Sequence, residues 1–359
     1  MNLFFCGDIM PGGVLPYQNT YIHFGLLEYM RGFDLRIGTL ECAIGSGMSP
    51  DETKMRGNKN IVYARNEDFY RVKEMNFDIV SLANNHVFDL GEEGLKNTIK
   101  LLEENGMAFC GAGMDLNQAS QPAVVKVNGV KMAFIAACMF GNKYLGHIEL
   151  AGNNKSGVNP LDIDRICSDI KLAKEKYDYV FVLPHWGREH MLYPMNDCVW
   201  MAKKMIESGA DGIFGSHSHV PQPLIKYKGK PIAFGMGNYL FPDFYMFPPR
   251  PIWYPDEKYD FTKIQHRNGY PDEIQVPSKA TWGEMERLGE IVSVVVSKNK
   301  LLTKMNFVQM SNNNILAINT RQKSLSIKLF LFGLFIKHPL FKWMYVQYIK
   351  IRYGNYEEY

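Results

Sequence analysis

Seven side chains able to bind metal or move protons stand at the ends of short apolar runs: Asp8, Glu41, Asn85, His86, His185, His217 and His219. Asp8 follows Leu3–Gly7, Glu41 follows Leu35–Leu40, and Asn85 with His86 follows the run at 78–83. His185 follows Tyr179–Pro184, and His217 with His219 follows Gly212–Ser216. Carboxylate, amide and imidazole without thiolate suit Mn²⁺, Fe or Zn²⁺ better than Ca²⁺. A carboxylate shared by two such ions would let the pair clamp a phosphoryl group and activate water. His217 and His219 have the period-2 spacing that puts both rings on one side of an extended segment. Asn85 and His86 are adjacent and point apart, so one can bind metal while the other reaches substrate.

Each residue also has a plainer reading. Asp8 could shape a strand-end turn, and His185 alone would more often be a satisfied core histidine. Glu41 lies in the apolar run Ile37 to Ile44, which implies burial and hence a partner. The conjunction at five strand ends carries the argument, because the carboxyl ends of strands in layered α/β folds form one rim where ligands bind.

The elements that must position these groups follow from periodicity. Up to about Val308, apolar strands alternate with amphipathic helical stretches, the pattern of helices covering a sheet. Strands are predicted at 3–7, 35–40, 78–83, 107–111, 123–127, 131–137, 179–184, 212–216 and 290–297, and helices at 66–75, 92–105, 162–176 and 197–208. Asn128-Gly129 and Tyr227-Lys228-Gly229-Lys230 read as hairpin turns, which makes the sheet mixed. The Pro-, Tyr- and Phe-rich stretch 241–286 reads as an irregular insertion of the kind that lines a site. One large domain is expected over 1–310, followed by a tail over 311–359.

Composition narrows the function. Lys plus Arg at 40 against Asp plus Glu at 37 gives a net charge of +3, so no nucleic-acid partner is expected. The six cysteines are far apart, without C-x-x-C spacing, and read as buried hydrophobes in a reducing compartment. No signal-peptide pattern opens the chain, and the apolar run 329–336, flanked by Lys328 and Lys337, is too short to span a bilayer. The expected location is cytoplasmic or peripheral at a membrane. In the tail, Leu325, Leu329, Phe332, Phe335, Phe341 and Trp343 alternate with Lys328, Lys337, Lys342, Lys350 and Arg352. Such a segment either lies on a membrane surface or docks on protein.

Gly7-Asp8-Ile9-Met10, Leu40-Glu41, Asn84-Asn85-His86-Val87-Phe88-Asp89, His185-Trp186-Gly187-Arg188-Glu189, His217-Ser218-His219 and Gly235-Met236-Gly237-Asn238 together resemble the CapA-type poly-γ-glutamate capsule biosynthesis family, over about residues 1–245. The resemblance implies the calcineurin-like metallophosphatase fold, a four-layer α/β sandwich of mixed sheets flanked by helices. It also implies two divalent ions (Mn, Fe or Zn): one held by Asp8 and His219, the other by Asn85, His185 and His217, with Glu41 bridging. His86 becomes the catalytic group that protonates a leaving group or steadies a phosphoryl oxygen. Thr39, Asn84, Asp89, Trp186, Arg188, Glu189 and Asn238 become candidates for supporting the ligands or meeting substrate. Two departures stand out. Met10 takes the place of a histidine usual in the wider fold, and Thr39 that of an asparagine. Asp89, with Glu92, also reads as a helix cap, and Glu189 as a helix-start carboxylate.

The function so implied is metal-dependent hydrolysis, by attack of a metal-bound hydroxide, of a phosphoester or related bond in cell-surface polymer biosynthesis. The alternative is a non-catalytic accessory protein whose rim binds anionic polymer or the polymer-synthesis proteins.

Overall fold

The computed structural model describes residues 1–48, 60–141, 147–248, 252–256, 258–269, 274–297, 300–319 and 322–337, together with 343 and 347. The rest of the sequence beyond 337, which reads as amphipathic tail, lies outside the described residues.

The first sheet starts from β1 (Asn2–Ile9), whose Leu3, Phe4, Phe5 and Cys6 have no solvent exposure. Residues buried on both faces make near-continuous apolar runs, the mark of strands covered on both sides. β1 pairs in parallel with β2 (Leu35–Leu40), which pairs with β3 (Ile79–Ser81), which pairs with β4 (Ala108–Cys110). The second sheet begins with the hairpin β5 (Ala123–Val127) and β6 (Val130–Cys138), turned at Asn128 (φ 51°) and Gly129 (φ 85°). A two-residue turn with both residues at positive φ follows the right-handed twist of its strands. β7 (Tyr179–His185) and β8 (Gly212–Phe214) continue that sheet in parallel, and a second hairpin closes it: β9 (Leu224–Tyr227) and β10 (Lys230–Ala233), turned at Lys228 and Gly229. The chain then returns to the first sheet through β11 (Asn238–Leu240), parallel to β1, and the antiparallel run β12 (Leu288–Ser297), β13 (Lys300–Met310) and β14 (Leu316–Asn319). Eight strands form the first sheet and six the second. The chain thus passes residue 311 without leaving the sheet, since β14 extends it.

The sheets face each other across one core. Phe5 of β1 stacks on Phe214 of β8 with ring centroids 3.7 Å apart and meets Phe181 of β7 edge-on at 5.5 Å. Helices cover the outer faces. α1 (Phe24–Arg31) and α2 (Gly91–Glu104) lie with the first sheet, burying Leu26, Met30, Leu95, Ile99 and Leu102. α3 (Ile163–Lys174), capped by Asp162, and α4 (Asn196–Glu207) bury Ile166, Ile170, Met201 and Met205 against the second. α5 (Lys323–Lys337) sets Leu325 and Leu329 on Leu288 and Phe307. The protein is therefore a four-layer α/β sandwich with two mixed sheets.

Two expectations change. The stretch 241–286 is not irregular throughout: strands at Phe244–Met246, Ile252–Trp253, Gln265–Asn268 and Ser278–Thr281 form a small sheet. Its members are two to four residues long, too short to show periodicity. The helix expected at 66–75 is a 3₁₀ turn (Asn66–Phe69) followed by one α-turn (Tyr70–Glu74).

Candidate metal centre

The carboxyl ends of β1, β2 and β3 in one sheet and of β7 and β8 in the other meet along one edge of the sandwich. Asp8 stands near the end of β1, in register with Thr39 of β2 on one side and Asn238 of β11 on the other. Glycine at position 7 permits this crowding, because a Cβ there would lie 1.8 Å from the carbonyl oxygen of Gly237. Glu41 follows β2, His185 ends β7, and Asn85 with His86 occupies the loop after β3.

His217 and His219 reach the same edge, but not through the alternation of an extended strand. β8 stops at Phe214, and the two histidines sit in a bend with φ of 88° and 54°. Positive φ at two non-glycine residues costs of order 1–3 kcal/mol each and persists where the surroundings impose it. The bend is tied down at the His217 N–H, which donates to Asp8 Oδ2 at 3.3 Å. It aims both rings inward.

These side chains converge. Glu41, His185 and His217 form one group, and Asp8, Glu41 and His219 a second, each with its ligand atoms within 4.8 Å of one another. Glu41 belongs to both. Its Oε1 lies 3.3 Å from His185 Nε2 and 3.9 Å from His219 Nε2. Asn85 joins the first group, its Oδ1 2.8 Å from His185 Nε2, and His217 Nδ1 lies 3.1 Å from that same nitrogen. Asp8, Glu41, His185 and His217 have no solvent exposure.

The electrostatics fit a cation. Burial, and then the charge of Glu41, push the Asp8 carboxyl well above its ordinary range. Burial, and then neighbouring histidines, hold His217 and His219 well below theirs, His185 and His219 acting on His217, and His190 foremost on His219. Asp8 Oδ1 and His217 Nε2 are buried with no hydrogen-bond partner among the described residues. Leaving such atoms unsatisfied costs about 1–3 kcal/mol each, and a cation in each group would satisfy one of them and neutralise the acids. The donor set therefore fits a divalent cation.

Around the candidate ligands other side chains fix orientations. His185 Nδ1 lies 2.9 Å from Ser216 Oγ, and His219 Nδ1 lies 2.8 Å from Asn238 Oδ1, which points the Nε2 atoms at the acids. Asn84 accepts the N–H groups of His86 and Val87 on Oδ1 and donates through Nδ2 to the Leu40 carbonyl, which clamps the loop carrying Asn85 to the strand end carrying Glu41. Asp89 accepts from the Val62 N–H at 2.7 Å, and its Oδ2 lies 2.7 Å from His86 Nδ1. The capping reading of Asp89 is corrected, since α2 begins at Gly91 behind Leu90 with no side-chain cap. Trp186 is buried and donates through its indole N–H to the Phe234 carbonyl, a packing role in the second sheet's core. Thr39 is buried beside Asp8 on β2.

Glu189 begins no helix, because α4 starts at Asn196. The loop after β7 instead doubles back over the histidines, and its Glu189 Oε1 lies 4.0 Å from His219 Nε2. With Arg188 beside it, this loop adds His190, whose ring centroid lies 6.0 Å from that of His219 and 6.4 Å from that of Trp282. His190, Trp282 and Glu286 are not expected at the site from the sequence. Trp282 and Glu286 come from the end of the aromatic stretch after β11, and only its composition hints at a site-lining role.

A four-layer α/β sandwich whose strand ends gather buried acids and imidazoles into two overlapping groups defines a protein with a candidate metal-binding site. The chain belongs to the bacterial capsule synthesis protein family PGA_cap, matched over residues 2–243. It is 34% identical over 244 residues to the PGA biosynthesis protein CapA of Bacillus subtilis (strain 168), covering 66% of this chain and 62% of that one. It is 31% identical over 245 residues to the capsule biosynthesis protein CapA of Bacillus anthracis, covering 66% and 58%. The match spans about three fifths of the length of these relatives. Among solved structures, a hypothetical protein from Thermus thermophilus aligns over 86% of this chain and 99% of its own, at 15% identity and a TM-score of 0.49.

Proposed function

We propose that the protein is a two-ion hydrolase acting on a phosphoester or related bond during the synthesis or processing of a cell-surface polymer such as poly-γ-glutamate. The observation that carries this reading is the position of Glu41, common to both candidate ligand groups. The first ion would be held by Asp8, Glu41 and His219, and the second by Glu41, Asn85, His185 and His217. A divalent pair, when bound, supplies Lewis acidity toward a phosphoryl oxygen and lowers the pKa of water.

The chain's own residues supply the rest. His86 is buried, and its Nδ1 is oriented by Asp89 Oδ2. That pairing fixes the ring so that its other nitrogen can hold or deliver a proton at a leaving-group oxygen. Asn84 and Ser216 keep Asn85 and His185 in place, and the buried surroundings exclude bulk water. Arg188 and Glu189, at the half-exposed rim, would meet substrate or the first ion.

The test is turnover. Mn²⁺-loaded protein is expected to hydrolyse bis(p-nitrophenyl) phosphate, and His217→Ala to abolish it. Turnover that survives complete chelation would refute the two-ion reading.

The accessory reading has one observation in its favour. Met10, buried where the wider fold has histidine, accepts the Gly12 N–H on its sulfur and offers the first ion no hard ligand. Binding of polyglutamate without any turnover would select it. We further propose that the α5 region brings the protein to a membrane surface and to the polymer-synthesis machinery there.

A further inference from the structure

The first ion position, as assigned in the proposed function on which this inference rests, has three protein ligands on its inner side: Asp8, Glu41 and His219. Zn²⁺ and Mn²⁺ sites of this type ordinarily take four or more. Met10 does not supply the fourth, because its thioether is turned back onto the Gly12 N–H at 3.2 Å.

The loop after β7 brings another oxygen to the open side. Gly187 at φ 87° and His190 at φ 63° fold the chain back on itself, a path that costs glycine nothing and histidine something. The His190 N–H donates to the Ser218 carbonyl at 2.8 Å, between the two histidines of the bend. This bond fixes the height of the loop over His219. The two carboxylate oxygens of Glu189 then face different neighbours: Oε2 lies 3.6 Å from His190 Nε2, and Oε1 lies 4.0 Å from His219 Nε2. His190 is held in turn by Glu286, whose Oε1 is 3.2 Å from its Nδ1. On the inner side, Glu41 Oε1 is 3.9 Å from the same His219 nitrogen. His219 Nε2 is thus flanked by two carboxylate oxygens at matching distances, each within the roughly 4.2 Å that two bonds of about 2.1 Å can bridge through one ion. Beside them, Asp8 Oδ1 is fully buried and has no hydrogen-bond partner among the described residues.

We propose that Glu189, through Oε1, is a ligand of the first metal ion and stands in for the histidine that Met10 replaces, with His190 and Glu286 as the positioning residues that hold its carboxylate. The ligand comes from the second sheet's loop instead of the end of β1. The first position therefore gains a ligand from the part-exposed rim, whereas the second is lined by buried side chains alone.

The experiment is Mn²⁺ equilibrium dialysis and electron paramagnetic resonance on the full chain and its Glu189→Gln variant, with thermal melting of the metal-free proteins to confirm that both fold. The wild type is expected to bind two Mn²⁺ with an exchange-coupled spectrum. Glu189→Gln is expected to keep one tight ion, to bind the other at least roughly tenfold more weakly, and to give the six-line signal of isolated Mn²⁺ at one equivalent. Glu189→Asp, which retains the charge but withdraws it by one methylene, should recover part of the lost affinity. Two ions bound with wild-type affinity and coupling in Glu189→Gln overturn the assignment of Glu189 and leave the two-ion reading standing. Loss of both ions also overturns it, since Glu189 would then support the whole site. Fewer than two ions in the wild type overturn the two-ion reading and this assignment with it.

Discussion

His185 Nε2 and His217 Nδ1 stand 3.1 Å apart in the interior, on two rings with no solvent exposure. Two imidazolium ions cannot occupy that space, and burial, with His185 next, holds His217 well below its ordinary pKa. Neutral imidazoles beside the acid Glu41 are the form in which histidine binds metal.

Metal should therefore stabilise the fold measurably. A ligand present at a hundred times its dissociation constant adds about 2.7 kcal/mol, so calorimetry should show a raised melting temperature in Mn²⁺ that chelation reverses. His217→Ala, which removes a ligand and a buried unsatisfied nitrogen together, should lose most of the increment. An unchanged melting temperature in saturating Mn²⁺, Fe²⁺ and Zn²⁺ alike would empty the site of its purpose.

His86 should separate from the ligands in kinetics. A positioned general acid contributes roughly 10²–10⁴-fold, so His86→Gln is expected to lower kcat for an aryl phosphodiester by that order while Mn²⁺ stoichiometry stays at its wild-type value. Asp89→Asn should give a smaller loss of the same kind, because the ring keeps its place but not its fixed tautomer. If His86→Gln instead releases an ion, His86 is a ligand and not a proton donor.

Asp243 ties the aromatic stretch to the site. Its Oδ1 lies 2.6 Å from Arg287 Nη2 and accepts the Trp282 N–H at 3.1 Å, while Oδ2 accepts from Asn314 Nδ2 at 3.2 Å. Trp282 in turn lies 5.1 Å from His219 between ring centroids. Asp243 is 1% exposed and Arg287 7%, so Asp243→Ala strands a buried guanidinium. Breaking such a pair costs about 3–5 kcal/mol, to be read from urea denaturation, and Asp243→Asn should cost less because it keeps an acceptor for Trp282. A change under about 1 kcal/mol for the alanine variant, the range of an exposed pair, would show that the pair is hydrated.

That network shows where sequence reading runs out. The convergence of the candidate ligands is legible because each follows a Val-, Ile- or Phe-rich strand, and parallel strands put such ends on one edge. The hairpins at Asn128-Gly129 and Lys228-Gly229 are legible because turn chemistry is local. Trp282, Glu286 and His190 reach His219 through loops whose course depends on positive φ at Gly187 and His190 and on an ion pair between residues 44 apart. No spacing rule records that. The bend at His217 and His219 escapes for the same reason: two histidines in alternation fit a strand equally well, and only the tether to Asp8 distinguishes the two.

Glu290 makes a pH-dependent prediction. It sits on β12 with no exposure and no hydrogen-bond partner for either carboxyl oxygen among the described residues, and burial drives its pKa well above the ordinary carboxyl range. A folded-state acid with a raised pKa binds a proton on folding. Its contribution to stability is therefore neutral below the unfolded pKa and becomes increasingly unfavourable as pH rises from there through the folded pKa. Glu290→Gln should raise the melting temperature at pH 7 to 8, with the advantage shrinking toward zero near pH 4. An advantage that is equal at both pH values would assign the effect to packing and not to charge.

The outward side of α5 carries the last prediction. The helix already satisfies one face, where Leu325 and Leu329 are buried, yet Ile327, Phe330 and Leu331 are 61%, 65% and 43% exposed on the other. From Ser311 to Tyr356 the sequence has the basic residues Arg321, Lys323, Lys328, Lys337, Lys342, Lys350 and Arg352 and no Asp or Glu. Among the described residues no helix is long and apolar enough to cross a membrane. Exposed apolar side chains within an unbroken basic segment match the interfacial plane of an anionic bilayer, where each Lys or Arg near the surface adds about 1 kcal/mol. The full chain is expected to float with vesicles containing phosphatidylserine, much less with phosphatidylcholine alone, and to be released as salt screens the attraction. The triple variant Ile327→Ser, Phe330→Ser, Leu331→Ser, which leaves every charge in place, should lose flotation at physiological salt. Flotation that survives this variant would move the contact away from α5, and no flotation with either lipid would leave the exposed face to a protein partner.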